Sequence, residues 1–187
     1  MVFKNKNIVF ILSLIILISF LTACPKPQTY PIEPAITFEQ VQLKDSVDLL
    51  GNKNKIYKLK FGITDGDGDI GLQEDDTTGI YHPDSLYTNN LFTTLYEIVN
   101  GDTVKVDSSK QRNFRVPYVQ PQGQNKTLIA DIFIDIIFSF DGEGNLPYDS
   151  VYFDFYIVDR QFHKSNIQSA PVLKLDTAGF FPEVIPE

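Results

Sequence analysis

The feature that most constrains the fold of this chain is the alternation of apolar and polar residues, which recurs in at least five segments. The clearest segments are 57–63, 128–138 and 151–157, where apolar side chains stand two positions apart. A period of two is typical of β-strands with one buried face. No segment of useful length shows the 3.6-residue stripe of a helix. About seven strands separated by turn residues predict an all-β fold, a single antiparallel β-sandwich over residues 35–187.

Local patterns predict particular turns and irregularities. Near Glu39 the apolar phase slips by one residue, which predicts a β-bulge in the first strand. The pair Asn100-Gly101 is favoured in two-residue hairpin turns, so we expect the chain to reverse there. Other short strands are expected at 91–99, 104–106, 114–118 and 172–175. The aromatic residues, 15 Phe and 9 Tyr, are expected to form most of the core.

The N-terminal residues resemble the signal of bacterial lipoproteins. Lysines at positions 4 and 6 precede an apolar run at 8–20, and Thr22-Ala23 then leads to Cys24, the only cysteine in the chain. The resemblance implies a signal peptide at 1–23 and lipidation of Cys24. A transmembrane helix is the alternative, but it needs about 20 apolar residues, and the run 8–23 is shorter and is followed at once by Pro25.

Lipidation would make this chain an outer-membrane lipoprotein that faces the periplasm or the cell surface. Two or more acyl chains anchor a protein stably, and the proline-rich segment 24–34 is typical of a semi-rigid tether about 30 Å long. The net charge is −8, and the signal segment holds two lysines and no acid, so residues 24–187 carry −10. This charge argues against a nucleic-acid partner, whereas an envelope protein or glycan partner remains open.

The segment 151–166 resembles the penultimate strand and following loop of immunoglobulin-like and fibronectin-III-like domains of bacterial surface proteins. Val158-Asp159 and Ser165-Asn166 match the pattern, although Gln161-Phe162-His163 replaces the usual Ala-Gly-Asn. The resemblance implies an immunoglobulin-like sandwich. In that fold the loops after the second and sixth strands emerge at one pole, with the turn 141–145 at the other. The layout as a whole also resembles small lipoproteins of the Bacteroidota.

The segment 65–76 contains six acidic residues and no basic residue. Asp65, Asp67 and Asp69 alternate with glycines, which permit tight curvature. Carboxylates spaced in this way can turn inward around Ca²⁺, which takes 6–8 oxygen ligands. The spacing begins like an EF-hand loop, but Ile70 stands where that loop requires glycine, so another kind of aspartate loop is expected.

Three interpretations of this acidic loop stay open. In the first interpretation, Asp65, Asp67 and Asp69 form a Ca²⁺ site, helped by Asp159 or by the acids at 74–76. Alternatively, Arg160 or Lys164 neutralises the aspartates. The third interpretation is a polar turn without a ligand, because Asp and Gly are both good turn formers.

The sequence gives little support for catalysis. Its two histidines, His82 and His163, have no metal-ligand partner at short spacing, and no serine lies in a nucleophile-elbow motif. Asp131 and Asp135 are expected to mark a solvated strand face rather than a catalytic pair. We therefore expect a non-enzymatic module that binds a protein or a glycan. The alternative is an envelope hydrolase that uses loop carboxylates.

Lipidation predicts a specific result for Cys24→Ser. The variant should lose incorporation of labelled palmitate and should leave the membrane fraction, because no other cysteine can carry the lipid. Metabolic labelling and cell fractionation measure both properties. Retained label, or membrane association equal to that of the wild type, would contradict the prediction.

Overall fold

The structure, a computed structural model, describes residues 28–121 and 125–181 together with Phe10. The expected signal peptide, Cys24 and the first residues of the tether otherwise lie outside this part. Three 3₁₀ turns are present, Gly79–Tyr81, Leu86–Thr88 and Ser108–Lys110, and in the described ranges no helix has the length and apolar character to cross a membrane. The strands are β1 (Ala35–Val47), β2 (Lys53–Asp65), β3 (Leu91–Val99), β4 (Asp102–Lys105), β5 (Leu128–Ser139), β6 (Ser150–Ile157), β7 (Gln168–Ser169), β8 (Leu173–Lys174) and β9 (Gly179–Phe181).

The strands form two antiparallel sheets, which confirms the predicted all-β sandwich. One sheet has the order β5-β2-β1-β9, and the other has the order β4-β3-β6-β7 with β8 also paired to β6. The first, second and fifth strands thus lie in one sheet, and the third, fourth, sixth and seventh lie in the other. This distribution is that of strands A, B and E against C, C′, F and G of immunoglobulin-type sandwiches.

Aromatic pairs between the two sheets form the centre of the core, as the composition predicts. Tyr57 of β2 meets Phe153 of β6, and Phe61 of β2 meets Phe155 of β6, with ring centroids 5.1 Å apart in each pair. None of these four side chains is more than 1% exposed. Edge-on and tilted ring pairs of this kind add to the free energy gained from burying their area.

The two local predictions are both confirmed. The register of β1 on β2 shifts between Phe38 and Gln40, so Glu39 is the extra residue of a bulge. Asn100 and Gly101 have φ values of 53° and 91° and join β3 to β4. Positive φ at both positions is what a type I′ hairpin turn requires.

The predicted strand at 114–118 does not form. Phe114 bridges to Leu91 while Pro117 bridges to Leu72, so the segment changes partner instead of following one strand. Pro117 also lacks an N–H group to donate to a sheet ladder. The predicted strand at 172–175 shortens to β8, and Pro171 separates it from β7.

The core generates a prediction for Tyr57. Its side chain is fully buried, and its hydroxyl has no hydrogen-bond partner among the described residues. A buried unsatisfied polar group costs roughly 1–3 kcal/mol, so Tyr57→Phe should raise the free energy of unfolding by about 1 kcal/mol. Urea denaturation measures this, with Tyr152→Phe on the outer face of β6 as the control. A loss of stability in Tyr57→Phe would show that its hydroxyl is satisfied in solution.

Candidate metal centre

The period of β2 brings a carboxylate into the end of the core. Tyr57, Leu59, Phe61 and Ile63 alternate on the buried face, and Asp65 is the next residue on that face, with an exposed fraction of 0%. Successive side chains of a strand point to opposite faces of the sheet. The burial of Asp65 therefore follows from its position two residues after Ile63. The chain then turns away, and Ile70 and Leu72 are buried again beyond the turn.

Three glycines of the loop, Gly66, Gly68 and Gly71, are surrounded so closely that no side chain fits. Gly66 donates its N–H to the carbonyl oxygen of Pro31 at 2.8 Å, and a Cβ at Gly66 would overlap the carbonyl oxygens of Tyr30 and Pro31. Gly68 has φ of 66°, and a Cβ there would overlap the carbonyl of Lys126. The loop is therefore held between the end of the tether and the segment before β5, unlike a free surface turn.

The three aspartates converge as the sequence predicts. One carboxylate oxygen each from Asp65, Asp67 and Asp69 lies within 4.8 Å of the other two. The Asp69 N–H donates to Oδ2 of Asp65 at 2.9 Å. The Oδ1 atoms of all three residues are buried and have no hydrogen-bond partner among the described residues.

The electrostatic cost of this arrangement appears in the pKa values. Burial, followed by repulsion from Asp67 and Asp69, raises the pKa of Asp65 from 3.8 to about 7. Burial, and then repulsion from Asp159, also raises the pKa of Asp69. Two unit charges 4.8 Å apart repel by about 3 kcal/mol at an effective dielectric constant near 20. Full ionisation of all three carboxylates is therefore unfavourable unless a proton or a cation lies among them.

The two basic residues that were candidates for this role bind elsewhere. Arg160 forms a two-pronged ion pair with Asp76, with its Nη1 2.5 Å from Oδ2 and its Nη2 3.3 Å from Oδ1. The ammonium of Lys164 lies 3.7 Å from the ring centre of Tyr156. Neither side chain neutralises Asp65, so the structure does not support the counter-charge interpretation.

Other acids expected near the cluster are also engaged or remote. Asp159 is buried, but its Oδ1 accepts the His163 N–H and its Oδ2 contacts His163 Nδ1, both at 2.8 Å. This hydrogen bond raises the pKa of His163. Asp159 therefore holds its own turn and is not one of the three converging ligands. Glu74 and Asp75 are exposed.

The loop after β6 lies at the same pole as the aspartates, as the immunoglobulin-like order predicts. Gln161 Nε2 donates to Asp67 Oδ2 at 2.5 Å. The matched pair Ser165-Asn166 fixes this loop: the Ser165 hydroxyl accepts from the Ile157 N–H at 3.0 Å, and the Asn166 amide pairs with both main-chain groups of Ile36 at 2.8 Å. The turn 141–145 lies beside the β1–β2 connection at the opposite pole, as expected.

Sequence reasoning missed Arg115, which organises the long connection between β2 and β3. Its guanidinium donates to the carbonyl oxygens of Gln73, Asp76 and Thr88. A lone arginine in a predicted strand gives no sequence signal for this role, because its partners are main-chain atoms about 27 to 42 positions away.

The raised pKa predicts how stability depends on pH without a cation. The folded state keeps the Asp65 proton up to about pH 7, whereas the unfolded state loses it near 3.8. The folded state therefore binds more protons between these values, so its unfolding free energy falls as pH rises through this window. In EDTA, the melting temperature of the wild type should fall as the pH rises from about 4 to about 7. Asp65→Asn should remove most of this dependence.

The control for this measurement is Asp84→Asn, which changes a 93% exposed carboxylate in the same connection. This variant should keep the dependence of the wild type. Parallel pH profiles for the wild type and Asp65→Asn would contradict the assignment of Asp65 as the titrating group.

Comparison of the chain with protein-family models, with curated proteins and with solved structures finds no match in any of the three. The site is therefore interpreted from its own geometry: three carboxylates, one of them wholly buried, converge at one pole of a β-sandwich.

Proposed function

We propose that this chain is a lipid-anchored, non-enzymatic envelope module that binds its partner at the pole of the acidic loop, and that Ca²⁺ organises this pole. The observation that carries the proposal is the cluster of Asp65, Asp67 and Asp69. A fully buried carboxylate with an unpartnered oxygen faces two others, and no basic side chain of the described residues neutralises them. A bound cation removes the repulsion and supplies the missing partner at once.

The chemistry of the ligands favours calcium over transition metals. The converging atoms are all carboxylate oxygens, whereas zinc and copper sites use imidazole or thiolate ligands. Mg²⁺ demands nearly ideal octahedral geometry, while Ca²⁺ tolerates irregular sets of 6–8 oxygens. Asp65, Asp67 and Asp69 would hold the ion, with water or carbonyl oxygens completing its shell.

The surface of the pole has the composition of an interaction site. Phe162 lies at the tip of the loop after β6, is 42% exposed and has φ of 68°, a strained conformation for a bulky residue. Its ring packs edge-on against Tyr87 at 4.7 Å. Arg160 lies against the rings of Tyr81 and Tyr118. Aromatic residues and arginine are enriched in protein interfaces, which fits a protein or glycan partner.

The tether connects to this same pole. Because Tyr30 and Pro31 are docked on Gly66, only five residues, 25–29, separate the expected anchor at Cys24 from the folded part. In polyproline II conformation the distance from Cys24 to Tyr30 is roughly 19 Å, less than the length of the whole tether. We propose that the partner is engaged close to the membrane on which the protein is anchored.

The alternative, a hydrolase with loop carboxylates, requires a cavity lined by converging acids. The cavity of about 790 Å³ beside the loop is lined by Gly66, Ile129 and residues 28–30, 125 and 127, without a carboxylate. A second cavity, at the opposite pole, includes Asp149 and Asp176, but both are exposed and lie within 4.0 Å of the Lys174 ammonium. These observations favour binding over hydrolysis.

Calcium should stabilise the native state if it binds at this site. A ligand specific for the native state adds RT ln(1 + [L]/Kd), about 2.7 kcal/mol at a hundredfold excess. With a Kd on the order of 10⁻⁴–10⁻³ M, typical of extracellular modules, several millimolar Ca²⁺ should raise the melting temperature by a few degrees. Asp67→Ala should abolish this rise, and differential scanning fluorimetry measures it.

Asp84→Ala is the matched control, because it removes an exposed carboxylate from the same connection and should leave the calcium response intact. Equal melting temperatures in EDTA and in millimolar Ca²⁺ for the wild type would refute the calcium site. A response that persists in Asp67→Ala would place the ion elsewhere.

A further inference from the structure

The strand β5 forms an edge of its sheet. Among residues 28–121 and 125–181 it pairs with β2 alone, in continuous register from Asn54↔Ser139 to Asp65↔Leu128. Every second residue of an antiparallel strand directs its N–H and C=O groups to the other side. About six of the twelve residues of β5 therefore present unpaired main-chain donors and acceptors along one edge.

The topology explains why this edge is open. In immunoglobulin constant-type sheets a strand D covers strand E, which is the counterpart of β5. Here β4 lies in the opposite sheet, and the residues described between β4 and β5, 106–121 and 125–127, form no strand. No strand of the described residues occupies the position of D.

Natural proteins protect such edges with charged side chains, above all lysine, and with proline, bulges or short strands. Of these devices β5 has only Asp131 and Asp135, each paired with a lysine of β2. It is twelve residues long, contains neither proline nor lysine, and shows no register shift on β2. Its outer face instead carries Ile129, Phe133 and Ile137, with exposed fractions of 63%, 58% and 43%. A long apolar edge of this kind is a template for pairing with another strand.

The sequence of this outer face reads the same in both directions: Ile129, Asp131, Phe133, Asp135, Ile137. We infer that β5 pairs antiparallel with β5 of a second copy of this chain, about a two-fold axis at Phe133. This register places Phe133 opposite its own symmetry mate and Ile129 opposite Ile137 of the other copy. A two-fold interface requires such self-complementarity.

The inner face of β5 is complementary in the same register. Ile132 then lies opposite Ile134, Ala130 opposite Ile136 and Leu128 opposite Phe138 of the second copy. Four of these side chains, Leu128, Ala130, Ile132 and Ile134, are only half-buried in the single chain. Pairing would continue the sheet across both copies and bury them further, which is favourable for apolar surface.

Lysines of β2 reduce the charge repulsion on the outer face in this register. The register brings Asp131 opposite Asp135 of the second copy, and like charges in that position are normally unfavourable. However, Lys60 lies 2.9 Å from Asp131 and Lys58 lies 3.4 Å from Asp135, both from the neighbouring strand β2. Lys60 is shared with Glu39 at 2.5 Å, so the two lysines offset part of the repulsion between the aspartates.

Disulfide cross-linking in membranes tests both the partner and the register. Cross-strand residues at a two-fold axis have Cα atoms about 4.5–5.5 Å apart, within the range that a disulfide spans. Phe133→Cys should therefore form a covalent dimer on mild oxidation. The wild type, whose only cysteine is Cys24, is the background control.

Ile129→Cys is the register control. The residue is more exposed than Phe133, but two copies of position 129 lie eight residues apart along the paired strands, roughly 27 Å. The single variant should not form a covalent dimer, whereas Ile129→Cys combined with Ile137→Cys should. Absence of cross-linking at 133, or equal cross-linking at 129 and 133, would overturn the inference.

A lysine on the interface gives an independent test. Phe133→Lys, added to the pair Ile129→Cys and Ile137→Cys, should reduce the covalent dimer at least tenfold, because it puts two like charges at the axis. Val104→Lys, at a 45% exposed position on the edge strand β4, should leave it unchanged. An unchanged dimer with Phe133→Lys would contradict the placement of Phe133 at the two-fold axis.

Discussion

The burial of Asp65 is the constraint on which this account of the molecule depends. The residue occupies the last inward-facing position of β2, directly after four apolar side chains of the core. A charged group in that place is stable only with a partner, and its Oδ1 finds none among the described residues. Asp67 and Asp69 increase the electrostatic repulsion on the Asp65 carboxylate, since their own Oδ1 atoms are buried beside it. The proposed divalent cation would relieve the repulsion among these three carboxylates and would stabilise the loop.

The packing around the loop connects this centre to the rest of the pole. Gly66 holds the end of the tether, Gly68 lies against the segment before β5, and Gln161 brings the loop after β6 to Asp67. A bound cation would thus fix segments that are far apart in sequence.

Because the inferred β5 pairing is antiparallel, the two acidic poles of a dimer would lie at its opposite ends. Both tethers can then reach one bilayer only if the strands run roughly parallel to its surface.

Much of the fold could be predicted from sequence because its signals are local. Alternation identified the long strands, the phase slip located the bulge at Glu39, and Asn100-Gly101 fixed the hairpin turn. The short strands β7 and β9 lack an apolar period of their own, since tertiary pairing with β6 and β1 defines them. The segment 114–118 shows the converse case, in which alternation is present but Pro117 and a change of partner prevent a ladder.

The candidate site could also be predicted only where its signals are local in sequence. The spacing of Asp65, Asp67 and Asp69 predicted their convergence, because glycines between carboxylates allow a tight loop. The sequence could not show that Asp159 is occupied by His163, or that Arg160 prefers Asp76, because these choices depend on side-chain geometry between distant loops. Which acid pairs with which basic side chain depends on their positions in the folded chain.

Equilibrium dialysis with radioactive calcium counts the ions bound per chain at the acidic loop. We expect one saturable Ca²⁺ per wild-type chain, with a Kd on the order of 10⁻⁴–10⁻³ M, and no saturable binding to Asp67→Ala. Wild-type protein without saturable binding, or with binding equal to that of Asp67→Ala, would contradict the assignment of Asp65, Asp67 and Asp69 as a calcium site.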